Sequence, residues 1–212
     1  MNSLKCVVDS YNKYFGNRAQ TILEIGSRDA KDAYYLSQML GAQKVYTFEA
    51  NPFCHKVIES NYPEFHNILG AVSNFTGQAD FNAVDSLNWD AVGTSSLRDR
   101  NDSWYNGQTN KIKVNVDTMH NYIINNNIVP PLDVVKIDVE GCSYEVLEGF
   151  GVFFKGVKVF HVENETFAFW EGQKLAEEVG EFLSSNGFIK DYQENFGESS
   201  VDEVWVNGDL IK

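Results

Sequence analysis

The sequence predicts an α/β fold in which helices cover both faces of a mostly parallel β-sheet. Short β-rich runs alternate with helical patterns: "TILEIG" precedes a helical segment over 30–40, and "KVYTFEA" precedes another over 52–61. Such alternation is typical of βαβ units. Near the end of the chain, "FIKDYQE" and "VDEVWVNG" are strand patterns joined by a short loop with Gly197. We therefore expect an antiparallel hairpin at one edge of the sheet.

The remaining elements follow in chain order. Apolar residues at helical spacing before Gly16 predict an N-terminal helical cap over 1–17. The runs "FHNILGAVS", "LDVVKIDV" and "VKVFHVEN" predict the third, fourth and fifth strands, and a helix through Leu175 and Leu183 ends at Gly187. No shift in composition marks a boundary, so we expect a single domain over 1–212.

One segment, 85–110, has no clear period; it reads "DSLNWDAVGTSSLRDRNDSWYNGQTN". Irregular segments of this length are usually functional loops or disordered insertions. Its aromatic residues, Trp89, Trp104 and Tyr105, favour a loop that folds over a ligand, so we expect a substrate lid. The alternative is a mobile surface insertion.

The composition limits the partners. The 17 Lys and Arg residues stand against 30 Asp and Glu, giving a formal charge of -13, so we expect no binding to nucleic acid or to an anionic membrane. The N-terminal residues contain no apolar run long enough for a signal peptide or a spanning helix, which predicts a cytoplasmic protein. Cys6, Cys54 and Cys142 lie too far apart for a disulfide framework or a zinc site.

The expected ligand site lies beside the first strand, because an open parallel sheet binds ligands beyond the carboxyl ends of its strands, where the strand order reverses. That strand ends in Glu24, Ile25 and Gly26, and Ser27 leads on toward a helix. The second strand ends in Glu49, 23 positions after Gly26. An acid at this spacing accepts hydrogen bonds from a ribose diol, so the sequence predicts a nucleoside site.

The loop after the first strand indicates which nucleoside. A dinucleotide fold carries G-x-G-x-x-G so that bare backbone approaches a pyrophosphate. The loop "EIGSRDA" keeps one glycine and adds Asp29, which suits a phosphate poorly. S-adenosylmethionine has adenine and ribose without phosphate, and its sulfonium and ammonium tolerate acidic surroundings. It is therefore the cofactor that we expect in preference to NAD.

Several motifs in fixed order resemble the FkbM family of class I S-adenosylmethionine-dependent methyltransferases. The sequence carries "LEIGS", "VYTFEANP", "LGAVSNFTG", "GTSSL", "VDTMHNYI", "LDVVKIDVEGCSYEVLEG" and "HVENE". The likeness covers 21–165 and is most specific at Glu49, Asn51 and Pro52 and over 136–141.

The resemblance implies a Rossmann-like seven-stranded sheet whose last strand is antiparallel. It also implies methylation of a hydroxyl on a saccharide or a small secondary metabolite. By motif match, the cofactor contacts would be Glu24 and Gly26 at its methionine end, Glu49 at the ribose, Ala71 and Val72 at the adenine, and Asp138 near the methyl. Ser27 and Asn51 are also expected to bind the cofactor. The first loop departs from the family, which usually carries a further glycine before the helix.

Methyl transfer to a hydroxyl needs a proton acceptor within about 2.6–3.2 Å of it. Strand periodicity puts Lys136, Asp138 and Glu140 on one side of the fourth strand. We expect Asp138 to orient or deprotonate the acceptor, while Glu140 either assists it or begins the next helix, where an acid complements the helix dipole. The next strand offers two further candidates, Glu163 for binding the acceptor and His161 as a base, although a lone strand histidine is more often a core residue.

Three functions stay open at this level. An O-methyltransferase is the leading one, and we expect no metal because no adjacent pair of acids is evident. A non-catalytic nucleoside-binding or scaffold protein and an NAD-dependent oxidoreductase are the alternatives. The acceptor itself is not predicted, since its contacts would lie in 85–110 and 164–172, where spacing rules say little.

Overall fold

The computed structural model describes residues 3–16, 18–84, 91–101 and 109–211, which contain ten strands and six α-helices. The strands are β1 (Thr21–Ile25), β2 (Lys44–Glu49), β3 (His66–Leu69), β4 (Ala71–Ser73), β5 (Gly77–Val84), β6 (Thr109–Thr118), β7 (Leu132–Ile137), β8 (Val157–Glu165), β9 (Phe188–Phe196) and β10 (Ser200–Asn207). The helices are α1 (Ser3–Phe15), α2 (Lys31–Leu40), α3 (Pro52–Asn61), α4 (Met119–Asn125), α5 (Ser143–Gly149) and α6 (Ala176–Ser185).

Seven strands form the main sheet in the order β3-β2-β1-β7-β8-β10-β9. The first five are parallel, and β10 is antiparallel to β8 and to β9. The predicted fold is confirmed, including the antiparallel hairpin at one edge. Between β1 and β7 the strand order reverses, so the carboxyl ends of these two strands flank the crevice where such folds bind ligands.

Helices cover both faces of the main sheet, which explains why β1 and β7 are buried along their whole length. On one face, α1 and α2 pack against Ile22, Val134, Val159 and Val204. On the other face, buried residues of α4, α5 and α6 pack against the alternate side chains of the same strands. The carboxyl ends of the central strands remain open between these layers.

The predicted N-terminal helix is confirmed as α1, and a buried polar group fixes it to the sheet. Asp133 accepts hydrogen bonds from the Tyr11 hydroxyl at 2.8 Å and from Lys158 Nζ at 2.6 Å. It also accepts from the backbone N–H groups of Gln20 and Thr21. The buried carboxylate is therefore fully hydrogen-bonded, as a charge in the core must be.

The predicted third strand is wrong in one respect: "FHNILGAVS" forms two strands in different sheets. Its first half is β3 of the main sheet, whereas β4 belongs to a three-stranded sheet of order β4-β6-β5 that the sequence did not predict. The chain turns at Gly70, whose N–H donates to the carbonyl of Glu49 at 2.9 Å. A side chain at Gly70 would collide with the Tyr122 hydroxyl unless the tyrosine moved, so glycine suits this turn.

The segment predicted as an irregular lid, 85–110, is partly ordered structure. Over 91–101 the chain forms a 3-10 turn at Val92–Thr94 and an isolated bridge between Ser96 and Asn82 of β5, and Thr109 already belongs to β6. Trp89, Trp104 and Tyr105, on which the lid hypothesis rested, lie outside the described residues. Among the helices that the structure describes, none has both the length and the apolar character needed to cross a bilayer.

Candidate active site

The loop after β1 brings the ends of β1, β2 and β7 together around Gly26. The N–H of Gly26 donates to the Phe48 carbonyl at 2.9 Å, and the N–H of Asp138 donates to the Ile25 carbonyl at 2.9 Å. Gly26 has a positive φ of 81°, and a Cβ there would overlap the Asp138 carbonyl. Glycine is thus required at the point where the three strand ends meet.

The carboxylate of Glu49, at the end of β2, is held in place by backbone. Its Oε2 accepts from the N–H of Arg28 and its Oε1 from the N–H of Asn51, both at 2.7 Å. Burial raises the pKa of Glu49 to about 7, although these N–H donors act in the opposite direction. Each carboxylate oxygen has a second acceptor position, so Glu49 can still accept hydrogen bonds from a vicinal diol.

Asp138 follows β7 and is ion-paired with a buried lysine. Lys136 Nζ lies 2.7 Å from Asp138 Oδ2 and 3.3 Å from Asp32 Oδ2, and the Lys136 side chain is only 5% exposed. Burial would lower the pKa of Lys136, but the carboxylates of Asp138, Glu24 and Asp32 outweigh it and raise the pKa well above its ordinary value. A fixed positive charge therefore lies against the carboxylate that we expect at the reacting centre.

Two further acids, Glu140 and Glu163, share the cavity with Asp138. The negative charge of Asp138, followed by burial, raises the pKa of Glu163 to about 9. Burial is the largest cause at Glu140, whose pKa lies well above its ordinary value. Glu163 thus holds a proton at neutral pH, so it can donate a hydrogen bond. Glu140 does not begin a helix, since α5 starts at Ser143 and the acid in its first turn is Glu145.

A single cavity collects most of the predicted site residues. It opens at the carboxyl ends of β1, β2 and β7, and the second sheet closes one side of it. The predicted residues that line it are Gly26, Glu49, Ala71, Val72, Asp138, Glu140 and Glu163. Within the described chain, no group of three or more His, Cys, Asp and Glu side chains has the arrangement of a metal site, and independence from metal stays a prediction.

Four of the predicted residues are not in the cavity lining. The side chains of Ser27 and Asn51 form hydrogen bonds with the backbone. Ser27 Oγ donates to the Glu24 carbonyl at 2.8 Å, and Asn51 Oδ1 caps α3 by accepting from the N–H of Phe53 at 3.0 Å. Glu24 is 2% exposed, and burial raises its pKa well above the ordinary value. A contact between these three residues and the cofactor stays a prediction.

His161 also lies outside the cavity. It pairs in register with Lys136, one residue before the end of β7, and is 1% exposed. Its Nε2 lies 3.5 Å from Asp202 Oδ2, an acid that belongs to β10. The core alternative describes His161 better than a role as base, because the histidine is buried inside β8, four residues before that strand ends, and does not line the cavity.

Two parts of the lining were not predicted. Arg28 belongs to the first loop, "EIGSRDA", and was not among the predicted contacts, yet it lines the cavity. The turn from Val92 to Leu97, which contains the "GTSSL" motif, forms the side that the second sheet supports. It is held in place because Ser96 Oγ donates to the Glu140 carbonyl at 2.6 Å. The "GTSSL" motif was the sequence signal for this part of the lining. Its role could not be predicted from the motif alone, because it depends on a contact between segments far apart in sequence.

Comparisons with known proteins agree with this arrangement. A family model described as the methyltransferase FkbM domain matches residues 20–190. No curated protein sequence matches the chain.

Solved structures share the fold at low sequence identity. TrmK from M. capricolum, in complex with the cofactor product S-adenosylhomocysteine, has a TM-score of 0.52 at 12% identity, over 98% of this chain and 68% of that one. The ribosomal protein L11 methylase from Lactobacillus delbrueckii subsp. bulgaricus has a TM-score of 0.52 at 7% identity, over 97% and 77%. A TehB-like SAM-dependent methyltransferase from Corynebacterium glutamicum has a TM-score of 0.50 at 11% identity, over 98% and 88%.

The family match extends over most of the chain, and it agrees with the sheet order, with the glycine where the strand ends meet and with the acid at the end of β2. The chain belongs to the FkbM family of class I S-adenosylmethionine-dependent methyltransferases.

Proposed function

We propose that the protein transfers a methyl group from S-adenosylmethionine to a hydroxyl of a saccharide or a small secondary metabolite. The observation that carries the proposal is the placement of Asp138. This carboxylate is paired with buried Lys136 at 2.7 Å and lines the same cavity as Glu49. A carboxylate that can take a proton, Asp138, and one that can accept hydrogen bonds from a diol, Glu49, thus line the same cavity.

The lining residues suit the cofactor. Phe48, Ala71, Val72 and Phe81 offer apolar surface for an adenine ring beside the carboxylate of Glu49. Bare backbone for a pyrophosphate is lacking, because Arg28 and Ala30 carry side chains at positive φ in the loop where a dinucleotide fold has glycine. These features favour a nucleoside without phosphate and argue against NAD.

S-adenosylmethionine supplies an electrophilic methyl group on a sulfonium. The protein must hold the acceptor oxygen in line with that group, and positioning provides a large part of the rate enhancement. Asp138 Oδ2 faces Lys136, so Oδ1 is the oxygen that we assign to the acceptor hydroxyl. Since Glu163 has a pKa of about 9, it orients the acceptor by donating a hydrogen bond, and Asp138 takes the proton.

The charges favour a neutral or cationic acceptor. Four carboxyl groups line the cavity, those of Glu49, Asp138, Glu140 and Glu163, and the whole chain carries a formal charge of -13. A polyanion such as nucleic acid would be repelled. A hydroxyl-bearing small molecule meets no such barrier.

Calorimetry with S-adenosylmethionine, S-adenosylhomocysteine and NAD tests the cofactor. We expect binding of the first two only. A chain that binds only NAD would be an oxidoreductase, and one that binds none of them would support a scaffold role.

A second measurement tests the acceptor. We expect label from methyl-labelled S-adenosylmethionine to appear in base-stable ether linkages when saccharides and hydroxylated small molecules are supplied. Label found on nitrogen or carbon would overturn the assignment to oxygen.

A further inference from the structure

Arg28 occupies an unusual backbone position at the edge of the cavity. Its φ is +48°, in the left-handed region that non-glycine residues rarely adopt. Its N–H donates to Glu49 Oε2 at 2.7 Å. The carboxylate that we assign to the ribose therefore also fixes the Cα of Arg28, and the side chain starts from a defined point beside the end of β1.

The turn at Val92–Thr94 determines where the Arg28 side chain lies. A Cβ built on Gly93 would lie 3.2 Å from Arg28 Cδ, 3.5 Å from Nε and 3.6 Å from Nη1. The outer half of the arginine thus lies beside Gly93. Both residues line the cavity, so the arginine joins the first loop to the wall that the second sheet supports.

The sign of its charge sets Arg28 apart. Of the acidic and basic side chains that line the cavity in the part of the chain that the structure describes, Arg28 is the single basic one; the acidic ones are Glu49, Asp138, Glu140 and Glu163. Asp29, the acid that follows Arg28 in the first loop, pairs with Lys31 at 2.7 Å and does not line the cavity. An anionic group that enters the cavity is repelled by whichever of these carboxyl groups are ionised, and Arg28 is the lining residue whose charge attracts it.

S-adenosylmethionine carries one anionic group, the carboxylate of its methionine moiety. We propose that Arg28 binds this carboxylate; the inference rests on the proposed function. A guanidinium matches a carboxylate with two parallel N–H donors, which a lysine cannot reproduce. The loop after β1 flanks the methionine end in the proposed binding mode. Arg28 would bind the carboxylate there with its side chain, whereas a glycine-rich loop binds an anionic group with backbone N–H groups.

The test uses two ligands that differ only in that carboxylate: S-adenosylmethionine and decarboxylated S-adenosylmethionine. Both are titrated by calorimetry into the full chain and into its Arg28→Gln, Arg28→Lys and Lys31→Gln variants. Lys31→Gln is the matched control, because it removes a cation of the same segment that pairs with Asp29. Circular dichroism and the thermal midpoint show that each variant is folded.

We expect the unchanged chain to bind S-adenosylmethionine more tightly than its decarboxylated form. Arg28→Gln should weaken S-adenosylmethionine on the order of tenfold to a hundredfold, as expected for loss of a charge-assisted pair. Its affinity for the decarboxylated form should stay nearly unchanged. Arg28→Lys should retain part of the difference, and Lys31→Gln should retain all of it.

Two results would overturn the assignment. If Arg28→Gln weakens both ligands equally, the arginine only supports the loop; if it weakens neither, the side chain serves an acidic acceptor or the turn alone. Failure of the unchanged chain to bind S-adenosylmethionine would reject the proposed function itself and this inference with it. If the unchanged chain binds S-adenosylmethionine but Arg28→Gln weakens both ligands equally, only the inference about Arg28 is rejected and the proposed function stands.

Discussion

Lys136 Nζ and Asp138 Oδ2 lie 2.7 Å apart at the end of β7, where Asp138 lines the ligand cavity. The lysine is buried and the aspartate is partly open to the cavity. A buried cation that touches a carboxylate at a site of chemistry fixes the orientation of that carboxylate. The pair is therefore expected to matter both for stability and for turnover.

The energetic link between these two residues can be measured with a double-mutant cycle. Lys136→Met, Asp138→Asn and the double variant should give a coupling free energy of about 1–3 kcal/mol in urea unfolding, as residues in direct contact do. Lys136→Met with Asp32→Asn is the matched comparison, because that contact is 3.3 Å and Asp32 is more exposed. It should give a smaller coupling. Equal couplings would mean that the 2.7 Å pair has no special role.

Turnover should depend on the charge of Asp138. Asp138→Asn keeps the shape of the side chain but removes the proton acceptor, so kcat should fall on the order of 10²–10⁴-fold. Affinity for S-adenosylhomocysteine should change little. Asp32→Asn, which also contacts Lys136 but does not line the cavity, should retain most activity. Nearly intact turnover in Asp138→Asn would refute the assignment.

Glu49 should control cofactor affinity in a way that depends on pH. The pKa of its carboxyl is about 7, so its ionised form, which accepts from the ribose hydroxyls, increases as pH rises from 6 to 8. S-adenosylhomocysteine should bind more tightly over that range. Glu49→Gln should bind about tenfold more weakly or worse at pH 8 and lose this dependence. Glu59→Gln, on the exposed side of α3, is the control, and calorimetry at three pH values is the measurement.

The sequence predicts those parts of the site that follow from strand pattern and spacing, but not those that depend on contacts between distant segments. Gly26, Glu49 and Asp138 all terminate buried strands, and in a parallel sheet such ends converge, so strand pattern and spacing were sufficient. The contact of Arg28 with Gly93 was not predictable in this way, because it depends on how the second sheet folds back on the first. Gly70 shows the same limit: a glycine between two β-rich runs indicates a turn, but not that the second run joins another sheet.

The acids of the cavity should make stability fall as pH rises. In the unfolded chain Glu163 titrates near 4.5, whereas in the folded protein the charge of Asp138, followed by burial, raises its pKa to about 9. Between these values the folded state binds the proton and the unfolded state does not. The contribution is therefore complete below pH 4.5 and lost as pH rises through 9.

Glu163→Gln removes this titration, so the decline of the thermal midpoint between pH 5 and 9 should become shallower. Glu198→Gln, in the exposed loop between β9 and β10, should leave the decline as it was. An unchanged slope in Glu163→Gln would mean that this carboxyl is ionised in the folded protein at neutral pH, and the hydrogen-bond donor assigned to it would have to be another group.

A glycine pair separates the cost of backbone strain from the cost of crowding at the cavity. Gly16 and Gly26 both have positive φ, 92° and 81°, but a Cβ on Gly16 meets nothing within 4 Å, whereas one on Gly26 would overlap the Asp138 carbonyl. Gly16→Ala should lose only the ~1–2 kcal/mol of left-handed strain. Gly26→Ala should lose more, because the hydrogen bond from Asp138 N–H to the Ile25 carbonyl has to lengthen as the strand ends separate. Urea midpoints give the two losses, and calorimetry should show that only Gly26→Ala weakens S-adenosylhomocysteine. Equal destabilisation with unchanged binding would mean that the ends of β1 and β7 can move apart without consequence for the cavity.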